Sequence, residues 1–81
     1  MTTKVYQVLT QKRMGGEMVS RGIFSDADIA KNHIELLALR NNATTAIVVA
    51  LYEQGGIYHS GGIVYRIRRD NGKYIVTFEI K

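Results

Sequence analysis

Asp70-Asn71-Gly72-Lys73 constrains this chain more than any other stretch, because Asn-Gly between two alternating apolar runs selects the two-residue turn of a β-hairpin. A two-residue turn fixes the register. Counting outward sets Ile67 opposite Val76, Tyr65 opposite Phe78 and Ile63 opposite Ile80 on one face, with Arg66, Arg68 and Thr77 on the other. The C-terminal third is therefore expected as a hairpin with one apolar and one basic face.

Glycine pairs punctuate the rest, since the chain has no proline. Residues 4–11 and 17–24 are strand-like runs around Met14-Gly15-Gly16, which predicts a first hairpin with a bulge near Gly22. Ser25 then reads as a helix cap whose hydroxyl serves the backbone of Asp28 while the Asp28 carboxylate reaches back, and Phe24 with Ile29 has the spacing of a hydrophobic staple. Asp26 and Asp28 suit the positive end of the helix dipole. Ala27, Ala30, Ile34, Leu37 and Ala38 recur at helical spacing as a narrow core stripe, and Asn41-Asn42 closes the helix.

Residues 44–54 follow as a strand with two apolar faces, Ala46/Val48/Ala50/Tyr52 and Ile47/Val49/Leu51, the pattern of a central strand covered on both sides. One helix covers only one side. A second protomer or another protein is therefore expected against the remaining face. The element order is β-β-α-β-β-β, a single α+β domain over residues 1–81 with a mainly antiparallel sheet and one helix on one face.

The runs Val5-Tyr6-Gln7-Val8 and Gly22-Ile23-Phe24-Ser25-Asp26-Ala27-Asp28-Ile29-Ala30 resemble small uncharacterised bacteriophage and bacterial proteins in which a hairpin leads into a phenylalanine, a capping serine and an alanine-faced helix. The resemblance covers residues 4–37. It implies a phage-type inhibitor that binds host or defence machinery in the host cytoplasm, and it carries over no functional residue.

Charge and composition narrow the partner classes. The chain of 81 residues has a net charge of +4 and no cysteine, which excludes disulfides and thiolate metal sites and suits a reducing cytoplasm. The longest apolar stretch, residues 46–52, is far shorter than the roughly 20 residues of a membrane helix, and no signal-peptide core is evident. Residues 1–24 carry four basic and one acidic side chain, 25–54 two and four, 55–81 five and two, so the strands are basic and the helix region acidic.

No residue set specifies a reaction. His33 and His59 lack the partners of a metal site or of a general base, and His33 reads as a partly buried packing residue. Ser60 beside His59 has no acidic orienter. Neither an enzyme nor a cofactor is expected.

Two binding surfaces are candidates. Residues 55–62 read as a glycine-flanked loop that displays Ile57, Tyr58 and His59 to a protein partner, with Leu36 on the helix face beside the core stripe as a further contact. Alternatively Arg66, Arg68, Arg69, Lys73, Lys12, Arg13 and Arg21 form a nucleic-acid surface if the two hairpins lie side by side, with Tyr58 and Tyr74 as stacking platforms. Protein binding, including homodimerisation through the face of residues 46–51, is the leading expectation, because it also accounts for the two-faced central strand.

Overall fold

In the computed structural model, which describes residues 3–80, the chain runs β1 (Thr3–Gln11), β2 (Met18–Phe24), α1 (Ala27–Arg40), β3 (Thr45–Gln54), β4 (Ile57–Asp70) and β5 (Lys73–Glu79). The five strands form one antiparallel sheet in the order β2-β1-β3-β4-β5, with the two-faced strand β3 at its centre. The α+β class, the element order and the single layer of helix agree with the sequence reading.

Helix α1 lies across β1, β2 and β3. Its stripe of Ala30, Ile34 and Ala38 is buried together with Val8, Ala46, Val48 and Ile67 from the sheet, and Leu37 packs against the same cluster. Small residues on both layers, Ala30 and Ala38 above and Ala46 below, let helix and sheet approach closely.

The helix starts one residue later than Ser25 would start it. Asp26 is the N-cap, and its carboxylate accepts from the backbone N–H of Asp28 at 2.7 Å and of Ile29 at 3.3 Å. A charged acceptor at the positive end of the helix dipole outcompetes the neighbouring hydroxyl. With the cap shifted, Phe24 and Ile29 leave the staple positions, and Phe24 stacks on His33 with ring centroids 5.1 Å apart. Asp26→Ala should cost about 1 kcal/mol, read as a lowered urea midpoint, whereas Ser25→Ala should leave that midpoint in place. At the other end Asn42 adopts φ 50°, closing the helix in the left-handed conformation as expected.

Bulges set the faces of the sheet. In β2 an extra residue, Arg21, sits beside Gly22, where the sequence placed a bulge. The β4–β5 hairpin turns at Asn71 (φ 51°) and Gly72 (φ 78°), and Ile67 pairs with Val76 as expected. Thr77 is then an extra residue, so Arg66 pairs with Phe78 and Tyr65 with Glu79. The expected pairs of Tyr65 with Phe78 and Ile63 with Ile80 are therefore displaced. A bulge puts two consecutive residues on one face, which moves Phe78 to the side opposite the helix and turns Glu79 toward it. There the Glu79 carboxylate accepts from Lys31 Nζ at 2.9 Å, and that bond raises the Lys31 pKa above its ordinary value.

Residues 55–62 are not a loop. Gly55 (φ 62°) and Gly56 (φ 84°) alone make a two-residue turn, and β4 begins at Ile57, with Gln54 opposite Ile57 and Tyr52 opposite His59. The second glycine pair is a bulge in β4: Gly61 is the extra residue and Gly62 pairs with Ala50. The Tyr52 ring lies over Gly61, where a Cβ would come within 2.3 Å of it. With glycine there the aromatic ring sits directly on the backbone, and any larger residue would displace it.

Candidate functional site

Strand β3 pairs regularly with β1, so its alternation labels both faces of the sheet. Ala46 and Val48 share the buried cluster of the helix, and Ala50 lies on the same face. Ile47, Val49, Leu51 and Glu53 point the other way, joined through their registers by Val5, Leu9 and Gln11 of β1, by Tyr58, Ile63, Arg66 and Arg68 of β4, and by Ile75 and Phe78 of β5. No described element covers this second face. Its middle is apolar, with Val49 9% exposed but Ile63 37% and the aromatic Phe78 41%.

Toward the end of the sheet that holds the β1–β2 and β4–β5 turns, the same face turns basic and polar. Gln11, Thr45 and Arg68 share one rung of the ladder, Arg66 lies one rung inward, and Met14 approaches from the β1–β2 turn. Together with Thr77 they line a cavity of about 290 Å³. Arg66 Nε donates to Thr77 Oγ1 at 3.0 Å, and the Thr77 hydroxyl donates in turn to the Arg66 carbonyl at 3.3 Å. Gln11 Nε2 donates to the Gly16 carbonyl at 2.8 Å, fixing its side chain at the rim. Among the described residues no carboxylate lines the cavity, and the one ion pair is Lys31–Glu79 on the other side of the sheet.

The seven basic residues picked out as a nucleic-acid surface do not form a single one. Arg66 and Arg68 face away from the helix. Arg21, on its bulge, donates from Nε to the buried Thr10 hydroxyl at 2.9 Å, and Arg69 donates to Asn42 Oδ1 at 2.8 Å beside the helix C-terminus. Lys12 and Arg13 sit in the β1–β2 turn and Lys73 at the β4–β5 turn, at the same end of the sheet but separated by β3. Tyr74 is on the helix side too, its hydroxyl donating to the Ala43 carbonyl at 2.7 Å, so it is no platform beside Arg66 and Arg68.

The residues picked out as a protein-binding loop are likewise divided. Because Ile57, Tyr58 and His59 belong to a strand, Tyr58 opposite Glu53 lies on the uncovered face, while Ile57 and His59 point to the helix side. Leu36 is elsewhere, on the outer surface of α1 beside Leu39, Asn32 and Glu35. The four contacts therefore do not converge.

The possible catalytic groups are not assembled either. His59 and Ser60 point to opposite faces, and the Ser60 hydroxyl accepts from the Gly62 N–H at 3.3 Å. His33 is exposed rather than partly buried, with Nδ1 2.8 Å from the Ile29 carbonyl of its own helix and the ring stacked on Phe24. Among the described residues no three His, Cys, Asp or Glu side chains converge as metal ligands. No described helix is long and apolar enough to cross a membrane.

Sequence reasoning reached Arg66 and Arg68, Thr77 on their face, and the apolar β3 face, but it missed Gln11, Met14 and Thr45 as their neighbours. Those three come from segments distant in the chain from the β4–β5 hairpin, and only the strand order unites them with it. Comparison with protein-family models, with curated proteins and with solved structures finds no match in any of the three.

Proposed function

We propose that this protein is a non-enzymatic protein-binding module, an inhibitor or adaptor that acts by occupancy, and that it docks its partner on the sheet face opposite α1. One observation carries this reading. The helix buries one side of a central strand whose other side is equally apolar, and Leu9, Ile47, Val49, Leu51 and Ile63 form a continuous aliphatic centre that no described element covers. Uncovered contiguous apolar surface rimmed by polar groups is characteristic of interaction sites.

The size fits as well. With strands about 4.8 Å apart and rising about 3.3 Å per residue, five strands of these lengths present roughly 600 Å². That is close to the roughly 800 Å² that each partner contributes to a standard interface.

Ile47→Lys places a charge in the middle of this face without touching the helix-side core. Selection from a random-peptide display library should enrich apolar peptides on the wild type, and peptides so selected should bind Ile47→Lys at least about tenfold more weakly, a loss of about 1.4 kcal/mol. The melting temperature should stay within a few degrees, as for a surface substitution of under about 1 kcal/mol. If nothing is enriched on the wild type, or if Ile47→Lys binds the selected peptides as well as the wild type does, the face is not a docking surface.

A further inference from the structure

The cavity at the basic end of the uncovered face is built from four segments and holds two guanidinium groups, with no acid in its lining and no ion pair to either guanidinium among the described residues; Asp70, two residues beyond Arg68, lies outside it and opposite Lys73. Arg66 and Arg68 are alternate residues of one strand, which brings their side chains out of the same face about 6–7 Å apart at the backbone. Two like charges so close raise each other's free energy, and an anion between them relieves it. Thr77 holds Arg66 by Nε, which leaves the outer edge of that fork for a ligand. Thr45 and Gln11 supply further polar atoms to the lining, and Met14 with the nearby Phe78 supplies an apolar wall.

We infer that this cavity takes a side-chain carboxylate of a protein partner, so that the docking face selects segments in which an aspartate or glutamate flanks apolar residues. The inference rests on the docking-face reading above and names the chemistry of the partner. A carboxylate matches the planar fork of a guanidinium by two parallel hydrogen bonds. The net charge of +4 favours an acidic partner and opposes a second copy of the chain.

The same surface is poorly made for a single-stranded nucleic acid, the other polyanion that arginines recognise. Bases need aromatic platforms. On this face Phe78 stands beside Arg66 and Tyr58 lies at the opposite end of the sheet, so successive bases find no run of platforms beside the arginines, whereas Tyr6, Tyr52, Tyr65 and Tyr74 lie on the helix side.

The peptide selection extends to a test with the Arg66→Gln/Arg68→Gln variant, whose folding is checked by thermal unfolding. Peptides selected on the wild type should be enriched in aspartate and glutamate, and the variant should lose that enrichment while still selecting apolar residues. An acidic peptide chosen from the pool should bind the variant about tenfold more weakly, and so should its amide counterpart on the wild type, the effect of losing one charge-assisted pair.

Apolar peptides without acidic enrichment would overturn the carboxylate pocket and leave the docking face standing. Absence of any enrichment, or full binding by Ile47→Lys, would overturn both. Oligothymidylate binding that falls steeply with salt and disappears in the double variant would assign the cavity to backbone phosphate instead. A dimer in light scattering that Ile47→Lys dissociates would put a second copy on the face, also against the inference.

Discussion

Ile34→Ala should lower the unfolding free energy by about 3 kcal/mol, within the 2–5 kcal/mol range of large-to-small substitutions in cores. Ile34 is 1% exposed and, with Val8 and Val48, is among the largest fully buried side chains. It is the one bulky side chain on a helix stripe otherwise made of alanine at its buried positions, so its loss leaves a cavity that the neighbouring alanines cannot fill. Helix propensity works against the loss, because alanine is the better helix former. Any destabilisation is thus a packing effect. A chain of this length has about 4–12 kcal/mol of total stability, so the change removes a large part of it. Urea unfolding followed by circular dichroism should give a much lower midpoint with an unchanged slope, while Leu39→Ala, on a side chain 65% exposed, should shift the midpoint by the equivalent of less than about 0.5 kcal/mol. Equal shifts would mean that α1 does not seal the core.

How much of this was legible beforehand follows from how local each feature is. Asn71-Gly72 and Asn42 are decided by single residues that tolerate positive φ, and both stand where the sequence put them. Ala30, Ile34 and Ala38 repeat within one helix, and their burial followed from spacing alone. The register beyond Ile67–Val76 was different. It turns on Thr77, an ordinary strand residue, and the bulge is stabilised by groups on other elements, Arg66 on β4 and Lys31 on α1. Residues 55–62 misled because two glycine pairs so close together resemble the ends of one loop. The clue was Tyr52: counting outward from Gly55-Gly56 brings Tyr52 opposite His59 and beside Gly61, a glycine serving as the seat for an aromatic ring.

The candidate site was half legible for the same reason. The apolar outer side of β3 was visible in its own sequence, and Arg66 and Arg68 in theirs. That the two adjoin was not, because it depends on β4 lying directly beside β3 with Thr45 opposite Arg68 and Ile47 opposite Arg66. Arg21 and Arg69 look equivalent to Arg66 in sequence, yet their hydrogen bonds to Thr10 and Asn42 commit them to structural work on the helix side. A charge total cannot distinguish arginines that hold the fold from arginines that remain for a partner.

Ala30→Leu should destabilise the protein by about 2–3 kcal/mol, the upper part of the range for inserting methylenes into a packed core. The substitution separates packing from every other cause, since leucine is nearly as good a helix former as alanine and adds no polar atom. Ala30 is 0% exposed and belongs to the same buried cluster as Val8, Val48 and Ile34. The sheet contributes Val8, Ala46 and Val48 to that cluster, side chains small enough to let the helix come close and seal the core. An isobutyl group at Ala30 lifts the helix, and the contacts of Ile34 and Ala38 loosen with it. The same substitution at exposed Asn32 should change the urea midpoint by the equivalent of less than about 0.5 kcal/mol. Paired with Ile34→Ala, the larger side chain has a cavity to enter, so the double variant should be more stable than the two separate losses predict, by a coupling of at least about 0.5 kcal/mol. Simple additivity in the urea midpoints would show that Ala30 and Ile34 do not share one packed volume, and that the stripe seals the sheet at two independent places.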